Sequence, residues 1–256
     1  ALSSAASDVY KRQHDPWDIT ESMKNAVSDR SFPDAPGCTF CGDNQKVRQN
    51  YAAMIENIDR CIGEILEAVK ARGDWENTIV VYGSDHGEMM GDHNLYGKSK
   101  PEQGSVHIPL VIDASRFGGK RAVCNEKPVE LQDLAATFLD YAGLPVEESL
   151  ESLSLKPVLN GTEPYVRKYG ISELINPDPK GLIKSFGTIT DGEYKLIMKV
   201  GEPERLYNLS TDPFEMHDLA ASRPEEVKRL KLAFGQRGEK LDPAIELYVK
   251  SFHARG

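Results

Sequence analysis

Apolar residues recur at intervals of three and four along residues 45–72, from Val47 to Val69. This spacing places them on one face of an amphipathic helix, and Gly73 is suited to end that helix. A different pattern follows at residues 78–82, TIVVY, where strand-forming residues run without polar alternation. Such a run predicts a strand buried on both faces. Residues 109–113, PLVID, predict a second strand. We expect both strands in one mostly parallel sheet with the helix packed on it.

The second half of the chain has a different character. Residues 129–143 predict a helix that ends at Gly143. From about Tyr165, short strand-like runs alternate with Pro, Gly and Asp turns, and Asp191-Gly192 is a hairpin signal between two of them. A helix is predicted from Pro224 to about Phe234. The sequence therefore predicts an α/β domain over residues 14–164 and a small C-terminal α+β subdomain over residues 165–256.

Composition limits the classes of function. The 256 residues are 39% hydrophobic and 28% charged, as in a soluble globular protein. The net charge of -9 and the lack of a basic patch argue against a nucleic-acid partner. No apolar run reaches the roughly 18 residues that would predict a membrane span.

The four cysteines leave their role and the compartment open. Cys38 and Cys41 form a C-x-x-C pair, whereas Cys61 and Cys124 are single and distant from each other. The pair could be a redox couple or half of a zinc site, but a zinc site usually requires a second pair at matching spacing. A loop disulfide or two free thiols is the alternative.

Candidate chemistry begins where the first strand ends. Asp85 and His86 follow Gly83 and Ser84, and Lys98 lies in the glycine-bounded segment YGKSK. An Asp-His pair in this position can be a helix cap or a turn. A carboxylate beside an imidazole also suits a divalent cation, and ligands of open α/β sheets bind beyond the carboxyl ends of strands. The cation and the lysine could then hold one oxyanion between them. Further polar side chains follow at Glu88, Asp92 and His93.

Residues 84–112, SDHGEMMGDHNLYGKSKPEQGSVHIPLVI, closely resemble the second signature region of the sulfatase family in the alkaline-phosphatase-like superfamily. The resemblance implies that superfamily's fold, a mostly parallel sheet flanked by helices. It implies that Asp85 and His86 ligate a divalent cation, Ca²⁺ in the first place and Mn²⁺ or Mg²⁺ otherwise. It also implies that Lys98 binds the sulfate group of the substrate as part of the catalytic site.

Other segments extend the resemblance. His14 in HDPW resembles the histidine of the family's PHxP-type segment, although the first proline is missing and a surface turn is the alternative. The matching histidine touches the sulfate and can protonate the leaving oxygen, a role that suits a near-neutral pKa. Asp133 and Thr137 match a D-x-x-x-T pattern, residues 153–161 resemble the segment closing the large domain, and residues 206–220, LYNLSTDPFEMHDLA, resemble the ending of bacterial sulfatases.

Two family elements do not occur in this sequence. Sulfatases use a formylglycine made from Cys or Ser in a C/S-x-P-S-R segment, whereas Ser31-Phe32-Pro33 is followed here by Asp34 and Ala35. The family's first pair of metal-binding aspartates is also unaccounted for. We therefore expect a C-terminal portion of a sulfatase, inactive alone, with the formylglycine in a missing N-terminal part. Residues 1–13 resemble translated sequencing-adaptor read-through, an artefactual tail, and are left out of the fold prediction.

The resemblance implies a sulfuric ester hydrolase that acts on a sulfated small molecule or glycan, in the periplasm or outside the cell. Two alternatives stay open. One is a phosphodiester or phosphonate hydrolase of the same superfamily, and the other is a non-catalytic member that binds sulfated glycans. The tail with its D-P-x-E pattern favours the sulfatase, and the upstream gene sequence would distinguish the three.

Overall fold

The structure is a computed structural model that describes residues 17, 19–21, 23, 30–40, 42, 44–175 and 185–238. These residues divide into two compact units. The first unit contains the described residues up to Thr78 together with residues 86–98, and the second contains residues 79–85 and those from Ser99 onward. None of the described helices has both the length and the apolar character of a membrane span.

The long predicted helix is the main element of the first unit. Helix α1 spans Asn44–Ala71, close to the predicted residues 45–72. Gly73 adopts a φ of +80°, and its N–H donates to the carbonyl of Lys70 at 3.0 Å. A glycine in this left-handed conformation ends many helices, so this prediction is confirmed. The apolar face buries three residues near the middle of the helix, Ala53, Met54 and Ile58.

The two predicted strands share a sheet in the second unit, but they are not parallel. Strand β1 spans Val80–Gly83 and pairs antiparallel with β2, Leu110–Asp113. The prediction of a parallel arrangement is therefore wrong for this pair. Parallel neighbours need a crossover connection, usually a helix. Between these two strands the described helices are one 3₁₀ turn at Asp92–Asn94 and the four-residue helix α2, Gln103–Val106. An apolar run predicts a strand but carries no information about its direction.

Burial of this sheet is also lower than predicted. Val80 and Val81 are half-buried, and the Val111 residue on β2 is 61% exposed. Among the described residues β1 has one partner strand, so one edge of each strand in this pair is without a strand neighbour. Helix α1 belongs to the other unit, and its predicted packing on the sheet stays a prediction.

Helix α3 spans Asp133–Tyr141 and starts four residues later than predicted. Its start is fixed by Asp133 itself, since the N–H of Glu130 donates to Asp133 Oδ2 at 2.9 Å. This contact holds the preceding residues in a turn, so the helix cannot extend toward residue 129. Helix α4 follows at Lys156–Asn160.

The D-x-x-x-T pair forms a buried structural tie. The Arg167 guanidinium binds both carboxylate oxygens of Asp133, with Nε 2.9 Å from Oδ2. Thr137 Oγ1 donates to the Asp133 carbonyl at 2.6 Å and accepts the N–H of Leu155 at 2.9 Å. Asp133 and Thr137 are fully buried. Their contacts join α3 to the segment that leads into α4.

The C-terminal strands were predicted closely. They form a four-stranded antiparallel sheet in the order β3-β4-β5-β6. The turn at Asp191-Gly192 joins β4 to β5, with the N–H of Asp191 donating to the Tyr194 carbonyl at 3.2 Å. Helix α5, Pro224–Gly238, contacts β4 and β5, and it contributes Leu230 and Phe234 to the buried core. The strands are β3 (Gly170–Leu174), β4 (Phe186–Thr190), β5 (Tyr194–Lys199) and β6 (Arg205–Asn208).

A buried ion pair ties this sheet to α2. Lys195 Nζ lies 2.6 Å from Glu215 Oε1, and the two side chains are 2% and 1% exposed. Lys195 Nζ also donates to the Gln103 side-chain oxygen at 3.1 Å, and the Gln103 N–H donates to Glu215 Oε2 at 2.7 Å. Glu215 adopts a φ of +58°. The turn within residues 206–220 therefore has a structural role, because it directs one glutamate inward onto β5 and α2.

Candidate functional site

The segment after β1 carries the predicted metal ligands. Asp85 is exposed and follows the end of β1 at Gly83, in the second unit. His86 is half-buried and begins the part of the signature segment that belongs to the first unit. Its Nδ1 lies 2.8 Å from the carbonyl oxygen of Gly87, a contact in which Nδ1 carries the hydrogen. In this tautomer Nε2 is the ring nitrogen that carries the lone pair with which a histidine ligates a metal.

Residues 88–97 form a closed loop in the first unit. The Met89 N–H donates to the Gly97 carbonyl at 3.2 Å, and the Gly97 N–H donates to Glu88 Oε1 at 2.6 Å. His86 therefore lies two residues before the start of this loop, and Lys98 follows directly after its end. Met89 is completely buried, whereas Lys98 is exposed. The closed base keeps the chain segments that carry these two predicted site residues close together.

The same stretch has an unusual concentration of left-handed backbone. Met90, His93 and Asn94 have φ values of 50°, 54° and 62°, and Ser99, two residues beyond the loop, has a φ of 63°. Residues other than glycine rarely adopt this conformation, and each instance costs about 1–3 kcal/mol. Strain of this kind persists only where surrounding contacts hold it, and it clusters at functional sites. The backbone thus marks the signature loop independently of its residue types.

Helix α1 holds the middle of the loop. Arg48 forms an ion pair with Asp92 at 2.9 Å, and Arg48 Nη2 also donates to the Met90 carbonyl at 3.3 Å. Asn44 Nδ2 donates to the same carbonyl at 3.1 Å. Burial raises the pKa of Asp92, and the neighbouring Arg48 opposes that shift. These contacts hold the strained Met90 backbone against the first two turns of α1.

Residues 36–40 hold the loop tip. Asn94 Oδ1 accepts the backbone N–H of Thr39 at 2.8 Å and that of Phe40 at 3.0 Å. The His93 N–H donates to the Pro36 carbonyl at 2.8 Å. The tip is therefore fixed to a segment more than fifty residues earlier in the chain, while the Phe40 residue itself is 92% exposed.

The structure places the four predicted site residues as follows. His86 and Lys98 lie in the first unit at the two ends of one closed loop. Asp85 lies in the second unit, and His14 lies outside the described residues. Convergence of all four on one pocket stays a prediction. Within the described part of the chain, no group of three or more His, Cys, Asp or Glu side chains could hold a metal ion.

Sequence reasoning did not identify the contacts that shape the loop. Glu88 and Asp92 were noted only as nearby polar groups, and the roles of Arg48 and Asn94 were not predicted. The signal available in the sequence for Glu88 was its position in a short segment between two glycines, Gly87 and Gly97.

Cys38 is disulfide-bonded, which agrees with the loop-disulfide alternative for that residue.

Comparison with known proteins identifies the family. The profile of the Sulfatase family matches residues 10–144, and the profile described as N-sulphoglucosamine sulphohydrolase, C-terminal, matches residues 91–237. The arylsulfatase of Clostridium perfringens (strain 13 / Type A) is 29% identical over 97% of this chain and 50% of its own length. The chain spans half or less of the length of the first curated relatives it matches.

Solved structures agree on the fold. A protein bound to its substrate D-glucosamine-2-N,6-O-disulfate matches with a TM-score of 0.69 and 26% identity, over 77% of this chain and 41% of that one. The phosphonate monoester hydrolase of Agrobacterium radiobacter matches with a TM-score of 0.67 and 32% identity, over 78% of this chain and 43% of that one. The fold is thus the alkaline-phosphatase-like α/β fold that the signature segment implied, represented here by part of its length. The first profile alone spans more than half of the sequence, and the chain belongs to the sulfatase family.

Proposed function

We propose that the protein containing these residues is a sulfuric ester hydrolase that cleaves a sulfate ester on a carbohydrate. The observation that carries the proposal is the closed, strained loop of residues 88–97. It joins His86 and Lys98 at a common base, in a segment that resembles the sulfatase signature and lies in a chain of that family.

Lys98 is the proposed sulfate-binding residue. Sulfate ester cleavage moves negative charge onto the sulfate and leaving oxygens, and an ammonium placed beside them stabilises that charge. The loop supports this role because the hydrogen bonds at Gly97 fix the backbone directly before Lys98. An ordered backbone lowers the entropic cost of holding a long lysine side chain in place.

Asp85 and His86 are the proposed ligands of a divalent cation, Ca²⁺ in the first place. Their donor set, one carboxylate and one imidazole, suits such an ion in type. Ca²⁺ takes about 6–8 ligands, mostly oxygens, so these two residues need further ligands from substrate, water or other chain segments. When bound, the ion would polarise the sulfate oxygens as a Lewis acid.

His14 and a formylglycine complete the proposal. His14 would protonate the leaving oxygen, as its position in HDPW suggests by resemblance. A formylglycine hydrate would supply the nucleophile, although the C/S-x-P-S-R segment that forms it does not occur in these 256 residues. We therefore assign the nucleophile to a segment of the protein beyond this sequence.

The substrate class and compartment are part of the same proposal. A structurally similar protein binds a disulfated glucosamine as its substrate, which supports a sulfated sugar here. Disulfides persist in oxidising compartments, so the disulfide-bonded Cys38 supports a periplasmic or secreted protein.

The test is hydrolysis of an aryl sulfate and of a 6-O-sulfated glucosamine by the expressed chain and by the gene product with all upstream coding sequence. Lys98→Ala in the active form should lower kcat/KM by about 10²–10³. Lys100→Ala, a control two residues along the same segment, should have little effect. Asp85→Asn should weaken Ca²⁺ binding in calorimetry, because it removes a negative charge from a hard-cation site.

Two results would overturn parts of the proposal. A protein that hydrolyses a phosphonate monoester but no sulfate ester would be a phosphonate hydrolase instead. Turnover by the 256-residue chain alone would place the nucleophile among these residues and refute its assignment to another segment.

A further inference from the structure

We infer that Glu88 is a positioning residue that clamps the backbone arm carrying Lys98 to the arm carrying His86. Its effect on sulfate binding rests on the function proposed above, whereas the clamp itself does not. Glu88 follows His86 by two residues in the chain, and its carboxylate closes the loop whose other end is Lys98.

The contacts of one carboxylate oxygen carry this inference. Glu88 Oε1 accepts the Gly97 N–H at 2.6 Å and the Met90 N–H at 3.3 Å. The Met89 N–H donates to the Gly97 carbonyl at 3.2 Å, so Gly97 is held through both its N–H and its C=O. Hydrogen bonds to an ionised carboxylate are shorter and stronger than neutral ones. Glu88 therefore fixes the residue immediately before Lys98.

The other ties of the loop do not duplicate this function. Arg48, through Asp92 and the Met90 carbonyl, holds the middle of the loop. Asn94 holds the tip through the backbone of residues 39 and 40. In the described part of the chain, the Glu88 carboxylate supplies the side-chain tie at the base. The base contains Gly97, so the contacts at the base determine the position of the backbone from which Lys98 follows.

The backbone conformation explains why a side-chain tie is needed there. Met90 and Gly97 both have positive φ, at 50° and 76°. A chain that reverses through such conformations cannot continue regular strand pairing, and its N–H groups must find other acceptors. One carboxylate oxygen serves both the Met90 and the Gly97 N–H. A shorter Asp would place its oxygens about one bond length further away and could not serve both groups.

The test uses the ¹⁵N-labelled 256-residue chain and needs no turnover. Three variants are compared with the wild type: Glu88→Ala, Glu88→Gln and, as a control, Glu67→Ala. Glu67 is an exposed glutamate on α1 that pairs with Lys70 at 2.7 Å, so its removal changes the net charge equally without touching the loop. The first measurement is hydrogen exchange of the Gly97 amide. The second is the affinity for inorganic sulfate, from the shift of the Lys98 amide during a sodium sulfate titration.

Glu88→Ala should accelerate Gly97 exchange by about ten- to a hundredfold, because a hydrogen bond to a charged acceptor is lost. It should also weaken sulfate binding at Lys98 by about tenfold. Glu88→Gln keeps a carbonyl acceptor and should fall between wild type and Glu88→Ala in both measurements. Glu67→Ala should match the wild type. If Glu88→Ala fails to fold, the Glu88→Gln comparison still decides.

Gly97 exchange as in the wild type would overturn the clamp itself, and faster exchange with unchanged sulfate affinity would overturn its role in positioning Lys98. Failure of the proposed function gives a different result. In that case the upstream-extended protein hydrolyses no sulfate ester, and wild-type Lys98 does not respond to sulfate, while Gly97 exchange still depends on Glu88. That combination would refute sulfate positioning and leave a purely structural clamp.

Discussion

Replacing Lys195 by Met should be one of the most destabilising single changes in the second unit. Lys195 Nζ lies 2.6 Å from Glu215 Oε1, and these side chains are almost completely buried. Burial lowers the pKa of Lys195, while the Glu215 and Glu102 carboxylates oppose that shift. Methionine keeps most of the side-chain volume and removes the ammonium. The variant therefore leaves Glu215 without its charged partner in a site that excludes water.

The expected loss can be estimated from this burial. Removing one member of a buried ion pair costs about 3–5 kcal/mol, since the remaining charge is uncompensated. The chain offers a matched control in Lys231, whose Nζ lies 2.6 Å from Glu204 Oε1 while the side chains are 22% and 38% exposed. Exposed pairs contribute about 1 kcal/mol or less. Equal distances with different burial thus predict a several-fold difference between Lys195→Met and Lys231→Met.

Urea denaturation followed by circular dichroism measures both free energies of unfolding. A double variant, Lys195→Met with Glu215→Gln, should recover part of the loss because no buried charge remains unpaired. It should not recover all of it, since a neutral amide oxygen accepts the Gln103 N–H more weakly than the carboxylate does, and the Lys195–Gln103 hydrogen bond is also lost. A Lys195→Met loss no larger than that of Lys231→Met would refute the reasoning, because it would show that the pair is hydrated or broken in solution.

Two further substitutions test the same unit. Gly187→Ala should lower the free energy of unfolding by about 1–3 kcal/mol, because an added Cβ would lie 2.5 Å from Cζ of the buried Phe234. Thermal denaturation measures this loss. An unchanged melting temperature would show that the ring can move. Burial raises the pKa of Glu173 above its unfolded value, with Arg237 opposing the shift, so its ionised form destabilises the fold at neutral pH. Glu173→Gln should therefore stabilise the chain at pH 7, and this gain should shrink as the pH falls through the raised pKa; a gain independent of pH would contradict the assignment.

The elements predicted best were those with a strong local pattern. Helix α1 repeats its apolar residues over about six turns and ends before a glycine, so periodicity and a cap agree. The strands of the C-terminal sheet alternate with turn residues, and Asp191-Gly192 marks the β4–β5 connection. Each of these signals is contained within a few neighbouring residues, which is why the sequence alone is sufficient.

The errors arose where particular contacts, rather than a repeating sequence pattern, decide the structure. The run at residues 78–82 predicts a strand, but its direction relative to β2 and its half-buried state depend on its neighbours. The start of α3 depends on the Asp133 carboxylate, which binds the Glu130 N–H and is itself held by Arg167. Neither contact leaves a periodic pattern in the sequence.

In the candidate site, the residue types follow a local sequence pattern, whereas the backbone that carries them depends on long-range contacts. Asp85, His86 and Lys98 could be proposed from sequence because one continuous segment carries them and resembles a family signature. The contacts that hold this segment could not be predicted, since Arg48 lies 44 residues from Asp92 and Asn94 lies 55 residues from Thr39. These long-range ties maintain a backbone that is strained at several positions, and strained backbone reverts when its ties are removed. The precision of a lysine such as Lys98 then depends on the residues that hold its loop, because a ligand group displaced by about 1 Å can lose much of its effect. The candidate residues can thus be read from a short motif, whereas the backbone of the loop between His86 and Lys98 is held by contacts with residues 36–48 of the first unit.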